Sequence, residues 1–206
     1  MQGFVLSVTK AKNEDVIVTI LTSQDIKTYY RFFGARHSIL QLGYMIDFEV
    51  ENDSSGRFLP RLRSLSQIPF KWIFDKNKLM IWQNYTKNLY NHLKDATDID
   101  SFYFDMLLEN AKRWHKQNPK RVVCDSYIHM LSYEGRLYMD DNCFICNQPL
   151  ENLTSLMQSY KVAHPHCIYD ISLPSKKLFD ALKMQKTLYM DDDEIEYMYK
   201  VAMKGF

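Results

Sequence analysis

Glycine is scarce in this sequence, and long apolar runs are absent. The six glycines in 206 residues are too scattered to form the glycine-rich loop that cradles a nucleotide phosphate. The sequence also contains neither a GxSxG nor an HExxH motif, which mark two common groups of hydrolases. No apolar stretch approaches the roughly 18 residues that span a bilayer, and the apolar run near the N-terminus is too short for a signal peptide. These absences predict a protein that is not an enzyme and has no membrane association.

Cysteine is also sparse, and it is unevenly placed. Four cysteines in 206 residues are too few for a disulfide-stabilised scaffold, and three of them fall within one short segment. The sequence therefore favours a protein of the reducing cytoplasm. The formal net charge of +1 argues against a strongly basic DNA coat, but it leaves room for local basic patches.

The hydrophobic pattern of the first roughly 70 residues predicts short β-strands. Five segments have the composition or the alternation of strands. Three of them are residues 16–22, 26–33 and 57–65. The other two show alternating apolar residues, which are Phe4, Leu6 and Val8 in the first segment and Ile46, Phe48 and Val50 in the fourth. Pro60 cannot donate a backbone hydrogen bond, so we expect the fifth strand to lie at an edge or to be bulged. With the excursion GARHSILQLG (34–43) between the third and fourth strands, this order predicts an OB-fold barrel, although the strand count alone also permits an SH3-like barrel.

The remainder of the chain has the periodicity of helices. Apolar residues recur at three- and four-residue steps in three segments, which begin near Leu79, at Asp100 and at Pro119. Two further helices are expected after Pro174 and at the acidic run DDDE (191–194). The predicted fold class is therefore α+β, with a five-stranded OB-fold barrel over residues 1–72. An α-helical domain over 73–206 would follow it, with an inserted zinc-binding segment at about 140–170.

The cysteines provide the clearest chemical motif. The segment reads CFIC (143–146), seventeen intervening residues, and then HPHC (164–167). Two chelating pairs at this separation match the spacing of tetrahedral zinc sites, and four protein ligands favour a structural site over a catalytic one. The predicted ligands are Cys143, Cys146, His164 and Cys167, with His166 as the alternative to His164. The competing interpretation is a group of free cytosolic thiols, and Cys124 is expected to fill the helical core.

A second set of candidates consists of cations near the predicted strands. Arginine can contact phosphates and aromatic rings can stack on bases, which are the two contacts a single-strand binder needs. The predicted nucleic-acid-binding residues are Arg31, Arg36, His37, Arg57, Arg61 and Arg63. The last three arginines would share one face of the fifth strand. The alternative is that the nearby rings fill the barrel and the arginines only keep its surface solvated.

Each of two charged stretches has two interpretations, a structural role at the end of a helix and a binding role. In KRWHKQNPKR (112–121) the cations complement the end of a helix, but they could also contact an acidic peptide or a DNA backbone. In DDDE (191–194) the acids suit the start of a helix. The alternative for this acidic run is a Mg²⁺ site in a nuclease.

The order of these segments resembles the RecO family. GFVLSVTKAKNEDVIVTILT followed by FGARHS is similar to the start of the RecO OB domain, and LSYEGRLYMDDNCFIC is similar to the family's segment leading into its CxxC pair. The resemblance covers nearly the whole chain. Two departures stand out: zinc-bearing relatives usually have four cysteines where this chain has His164, and only His37 follows Arg36 where further basic residues are usual.

The resemblance implies a recombination mediator in DNA repair. Such a protein binds single- and double-stranded DNA, anneals complementary strands, works with RecR and helps RecA load onto strands covered by the single-strand-binding protein SSB. The helical domain would recognise the acidic C-terminal tail of SSB. The expected location is cytoplasmic and nucleoid-associated. A zinc-stabilised adaptor that binds only proteins is the alternative.

Overall fold

Five strands at the start of the chain close into a barrel. They are β1 (Gln2–Lys10), β2 (Val16–Leu21), β3 (Ile26–Arg31), β4 (Met45–Glu51) and β5 (Arg61–Ile68). Their order around the barrel is β1-β2-β3-β5-β4, and β1 pairs with β4 to close it. All pairs are antiparallel except β3 with β5. This arrangement confirms the OB-fold interpretation. The structure, a computed structural model, describes residues 1–36, 38–52, 56–96 and 98–206.

The strands form the barrel core as the alternation rule predicts, with one exception. In β4, Ile46 and Phe48 are buried and the acids beside them are exposed. The alternation predicted for β1 is wrong, because Phe4, Val5 and Leu6 are all buried and Val8 is 36% exposed. Val5 belongs to the barrel core, whereas the ring of Phe4 packs against aromatic rings of the two helices that follow the barrel. Both faces of this part of β1 are therefore covered.

Two helices complete the first compact unit of the chain. They are α1 (Lys76–Leu93), capped by the side chain of Asp75, and α2 (Phe102–Arg113). Trp82 on α1 donates its indole N–H to the carbonyl of Gly43 at 2.7 Å. Gly43 has a φ of +82°, and a Cβ there would lie 2.6 Å from the Trp82 ring, so glycine is required at this position.

The compact units do not divide where the barrel ends. The first unit is Met1–His115 and the second is Lys116–Phe206. The domain boundary after residue 72 stays a prediction from the sequence. The second helix ends at Arg113. Asn118 is extended, and its side chain accepts a hydrogen bond from the N–H of Lys120. The residue before a proline avoids helical geometry, so Asn118 caps the following helix.

The second unit contains four helices and a small sheet. Its elements are α3 (Pro119–Tyr133), β6 (Leu153–Leu156), β7 (Val162–Ala163), α4 (Pro165–Ile168), β8 (Leu173–Pro174), α5 (Ser175–Met184) and α6 (Asp192–Ala202). The sheet order is β7-β6-β8. Cys124 is fully buried on α3, in line with the core role expected of it, and its Sγ lies 3.8 Å from the carbonyl oxygen of Ile195 on α6.

The acidic run forms the start of α6. Asp191 accepts a hydrogen bond from the N–H of Glu194, and the Glu194 carboxylate accepts one from the N–H of Asp191, which makes a capping box. Lys177 also donates to both oxygens of Glu194, at 2.9 and 3.1 Å. These contacts stabilise the helix start and occupy the Glu194 carboxylate.

None of the helices formed by the described residues combines the length and the apolar character that crossing a membrane requires.

Candidate metal centre and candidate nucleic-acid interface

Four side chains of the second unit converge on one point. The ligand atoms of Cys143, Cys146, His164 and Cys167 all lie within 4.8 Å of one another. Nδ1 of His164 is 3.3 Å from Sγ of Cys146 and 3.9 Å from Sγ of Cys167. Ligands about 2.0–2.3 Å from a tetrahedral zinc ion lie about 3.5–4 Å from one another. The four atoms therefore already have nearly the separation that a metal ion would impose.

Short turns bring the two ligand pairs together. The N–H of Asn147 donates to the carbonyl of Cys143 at 2.9 Å, which folds CFIC into one turn. The N–H of Cys167 donates to the carbonyl of His164 at 3.0 Å, which folds the second pair at the start of α4. A hydrogen bond of 2.9 Å from the N–H of Phe144 to the carbonyl of Val162 joins the first turn to the strand that precedes the second. Backbone contacts thus place the ligands.

The orientation of the His164 ring selects one of its nitrogens for the cluster. Nε2 lies 2.9 Å from the carbonyl oxygen of Pro149. A carbonyl can only accept, so Nε2 carries the hydrogen and Nδ1 presents its lone pair to the three sulfurs. Among the described residues, this group contains His164 and not the alternative His166, whose ring stacks on His164 with a centroid distance of 4.9 Å.

Backbone amides prepare one sulfur for metal binding. Burial opposes ionisation of Cys143, but N–H groups of Cys146, His164 and Ile145 donate to its sulfur and lower its pKa from 9.0 to about 6. Burial and the neighbouring thiols of Cys146 and Cys143 raise the pKa of Cys167 to about 11. The hydrogen bonds to Cys143 therefore favour its thiolate form, and a bound cation would displace the protons of the other thiols. A Cys₃His donor set with four protein ligands fits a closed, structural zinc site.

The first unit contains an open groove beside β3 and the loop that joins β4 to β5. Its volume is about 540 Å³, and its lining combines rings, aliphatic side chains and cations. The lining residues are Ile17, Tyr30, Phe32, Arg57, Phe58, Leu59 and Arg61. We refer to this feature as the aromatic groove. It lies on β2, β3 and the β4–β5 loop, which is where OB folds commonly bind oligonucleotides.

Two of the predicted cations line the aromatic groove. Arg61 is the first residue of β5, and its guanidinium carbon lies 5.1 Å from the centroid of the Phe32 ring. Arg57 belongs to the loop, because β5 begins four residues later than predicted. The expectation that Arg57, Arg61 and Arg63 share one face of the fifth strand is therefore wrong for Arg57, although the loop brings it to the same groove as Arg61.

The other predicted cations make contacts elsewhere. Arg31 donates from Nη1 to the carbonyl of Leu62 at 2.8 Å. Arg36 pairs with Glu14 and lies over the ring of Phe33. Arg63 donates from Nε to Glu51 at 2.6 Å. His37 lies outside the described residues. Arg36 and Arg63 attract a phosphate less strongly than an arginine without an acidic neighbour would, because each is paired with a glutamate.

Phe58 is a candidate that the strand pattern did not reveal. Its side chain is 70% exposed on the β4–β5 loop, and Phe32 across the groove is 42% exposed. A loop residue has no periodicity that would set it apart. The available signal was the local sequence GRFLPR, in which a large ring stands between arginines in a polar turn.

Comparison with protein families gives a match within the first compact unit. Residues 1–73 match the family model described as RecO N terminal. Over these residues the chain is similar to the N-terminal part of RecO proteins. The match ends five residues after β5 and so covers the barrel with the aromatic groove, but not the cysteine–histidine cluster. A search of the curated proteins finds no match to the chain. The RecO match supports a RecO-family protein with a role in recombination and repair.

Proposed function

We propose that this RecO-family chain is a non-catalytic recombination mediator that binds single-stranded DNA in the aromatic groove. The observation that carries the proposal is the meeting of Arg57, Arg61, Phe32 and Phe58 in one open groove on an OB-fold barrel. The arginines suit phosphates, and the exposed rings suit unpaired bases. A base inside a duplex has both faces stacked, so this groove favours a single strand.

The expected affinity follows from the composition of the groove. Two phosphate contacts on a single strand give a salt slope of about −1.4. Stacking adds about 1–3 kcal/mol for each base. Binding should therefore be modest, tolerant of sequence and only moderately sensitive to salt.

The wider function is proposed from the family. The chain would also contact double-stranded DNA, anneal complementary strands and act with RecR in the cytoplasm, in association with the nucleoid. It would assist RecA in loading onto strands covered by SSB, whose acidic C-terminal tail it would bind. The barrel match and the groove support the DNA-related part of this proposal.

We further propose that Cys143, Cys146, His164 and Cys167 hold a structural zinc ion. Zinc would supply no chemistry to a substrate, because the four protein ligands leave no open position. The support is the convergence of the ligand atoms within 4.8 Å and the orientation of His164 by Pro149. The ion would join the turn at 143–146 to the start of α4.

A protein-binding adaptor is the second candidate function. The turn between Cys143 and Cys146 exposes Phe144 by 43% and Ile145 by 51%. Apolar side chains on a metal-braced turn are suited to contact another protein. The two functions differ in whether the purified chain binds DNA.

The test is binding to a labelled oligothymidylate of about 16 nucleotides, followed by fluorescence anisotropy. Between about 50 and 200 mM salt, the affinity should fall about sevenfold if the slope is −1.4. A duplex of the same length measures the preference for an unpaired strand. Failure to bind the oligonucleotide at low salt would reject the DNA role and leave the adaptor.

A further inference from the structure

The turn between β1 and β2 holds the end of β3. Asp15 in this turn is 8% exposed, and its carboxylate accepts two hydrogen bonds from the β3 region. The hydroxyl of Tyr30 donates to Oδ2 at 2.5 Å, and the backbone N–H of Phe33 donates to Oδ1 at 2.7 Å. One carboxylate therefore joins a side chain within β3 to the backbone just after β3.

The residue before Asp15 strengthens the same connection. The carbonyl of Glu14 accepts a hydrogen bond from the N–H of Ala35 at 2.8 Å, and its carboxylate pairs with Arg36. Phe33 has a φ of +52°, a conformation that costs free energy for a bulky residue. Such a conformation persists only where the surroundings hold it, and the hydrogen bond to Asp15 does so here.

This connection reaches the aromatic groove through two rings. Tyr30 and Phe32 both line the groove, and their rings meet edge to face with centroids 5.1 Å apart. Arg61 lies over the ring of Phe32. A shift of Tyr30, or of the backbone at Phe33, would therefore move Phe32 and the cation that rests on it.

We propose that Asp15 is a positioning residue for nucleic-acid binding, acting through Tyr30 and Phe33 to hold Phe32 and Arg61 in their places in the aromatic groove. The inference rests on the proposed single-strand binding. It assigns a role in DNA affinity to an acidic residue, for which simple electrostatics predicts the opposite effect. Removing a negative charge near a DNA site should strengthen binding by Coulomb attraction alone, whereas loss of the positioning contacts should weaken it.

The chain offers a matched control in the same barrel. Asp25 lies in the turn between β2 and β3, at the other end of that hairpin, since β2 pairs Val16 with Arg31 at one end and Leu21 with Ile26 at the other. Its carboxylate accepts a hydrogen bond from the hydroxyl of Thr22 at 3.0 Å. Asp25 also pairs with Lys27 at 2.5 Å. Asp15→Ala and Asp25→Ala thus remove the same charge from opposite ends of the hairpin, but only the contacts of Asp15 lead to the groove.

The experiment measures oligothymidylate binding by the full chain and by variants, together with the thermal unfolding midpoint of each. We expect Asp15→Ala to lower affinity at least fivefold, because Phe32 and the Arg61 guanidinium that lies over it are no longer held in place. Asp25→Ala should change affinity less than twofold. In a Phe32→Ala background, Asp15→Ala should have no further effect, because the ring that it positions is gone.

A milder variant covers the case in which Asp15→Ala does not fold. Tyr30→Phe keeps the ring and removes only the hydroxyl that donates to Asp15, and it should also lower affinity. Unchanged or stronger binding by a folded Asp15→Ala or Tyr30→Phe protein overturns the inference, as does an undiminished effect in the Phe32→Ala background. If the unaltered chain binds no oligonucleotide, the proposed function itself fails and the inference falls with it.

Discussion

The cysteine–histidine cluster and the aromatic groove arrange their side chains in opposite ways. In the cluster, four ligand atoms point inward to one centre and lie within 4.8 Å of one another. In the groove, rings and guanidinium groups line an open volume of about 540 Å³. A site that converges on one ion is close to all-or-none, because each ligand depends on the others. A site that lines a groove gains affinity in separate increments, one phosphate or one base at a time.

This difference predicts how each site fails. Loss of one ligand should release the ion and with it the stability of the whole turn. Loss of one groove residue should reduce affinity by one increment and leave the fold intact.

The largest effect is expected for Cys143→Ala. This sulfur is fully buried and accepts hydrogen bonds from backbone N–H groups of the cluster, so its loss removes a ligand and leaves those donors without their acceptor. We expect zinc to be lost and the free energy of unfolding to fall by about 4 kcal/mol, a decrease in Tm of roughly 8–16 °C. Elemental analysis and calorimetry measure the two changes.

Cys124→Ala is the matched control for metal content. Cys124 is as buried as Cys143 but lies on α3 against Ile195, outside the cluster. We expect this variant to retain one zinc ion per chain. Zinc retained by Cys143→Ala, or absent from the unaltered protein, would contradict the metal assignment.

The next largest effect concerns Phe58 and appears in DNA affinity alone. Its ring is 70% exposed, so Phe58→Ala should leave the Tm within about 2 °C. Loss of one stacked base should weaken oligothymidylate binding about 5- to 150-fold. Phe74→Ala is the control, since Phe74 is 90% exposed in the same unit and does not line the groove. Equal losses for the two variants would show that the groove is not the stacking surface.

A smaller effect is expected for the groove arginines. Arg57→Gln with Arg61→Gln should lower affinity about tenfold at low salt and flatten the salt slope by about 1.4. The control pair, Arg36→Gln with Arg63→Gln, removes the same charge from the same barrel, but neither of these arginines lines the groove. Its effect should stay below about threefold. A control pair that flattens the slope as much as the groove pair would place the DNA elsewhere on the barrel.

The sequence predicted the two sites unequally, for a physical reason. Ligands three residues apart lie on one turn, so the spacing of Cys143 and Cys146 alone indicates a chelating pair, and only the choice between His164 and His166 needed the structure. Which of the predicted arginines line the groove and which pair with an acidic residue depends on their tertiary contacts. The pairing of Arg63 with Glu51 follows from the register of β4 and β5, which no local pattern reveals.

The barrel shows the same division between local and non-local information. The strand order and the excursion at 34–43 predicted an OB fold, which the β3–β5 pairing confirms. The predicted start of β5 lies four residues too early, and no pattern marks Phe58, because the β4–β5 loop has no periodicity. The contact of Asp15 with Tyr30 joins residues 15 apart, and only the pairing of β2 with β3 brings them together.

The smallest expected effect is a shift in one titration. The hydroxyl of Tyr30 and then the N–H of Phe33 stabilise the ionised carboxylate and lower the pKa of Asp15 from its ordinary value of 3.8. A lowered pKa means that the contact stabilises the fold fully above pH 3.8, and that this contribution is lost as the pH falls through the lower, folded-state value. NMR titration of the Asp15 carboxyl carbon should therefore give a midpoint below 3.8, and Tyr30→Phe should raise it because the largest cause is removed. An unchanged midpoint in Tyr30→Phe would mean that the hydroxyl does not hold this carboxylate, and the connection of Asp15 to the aromatic groove would then depend on the N–H of Phe33 alone.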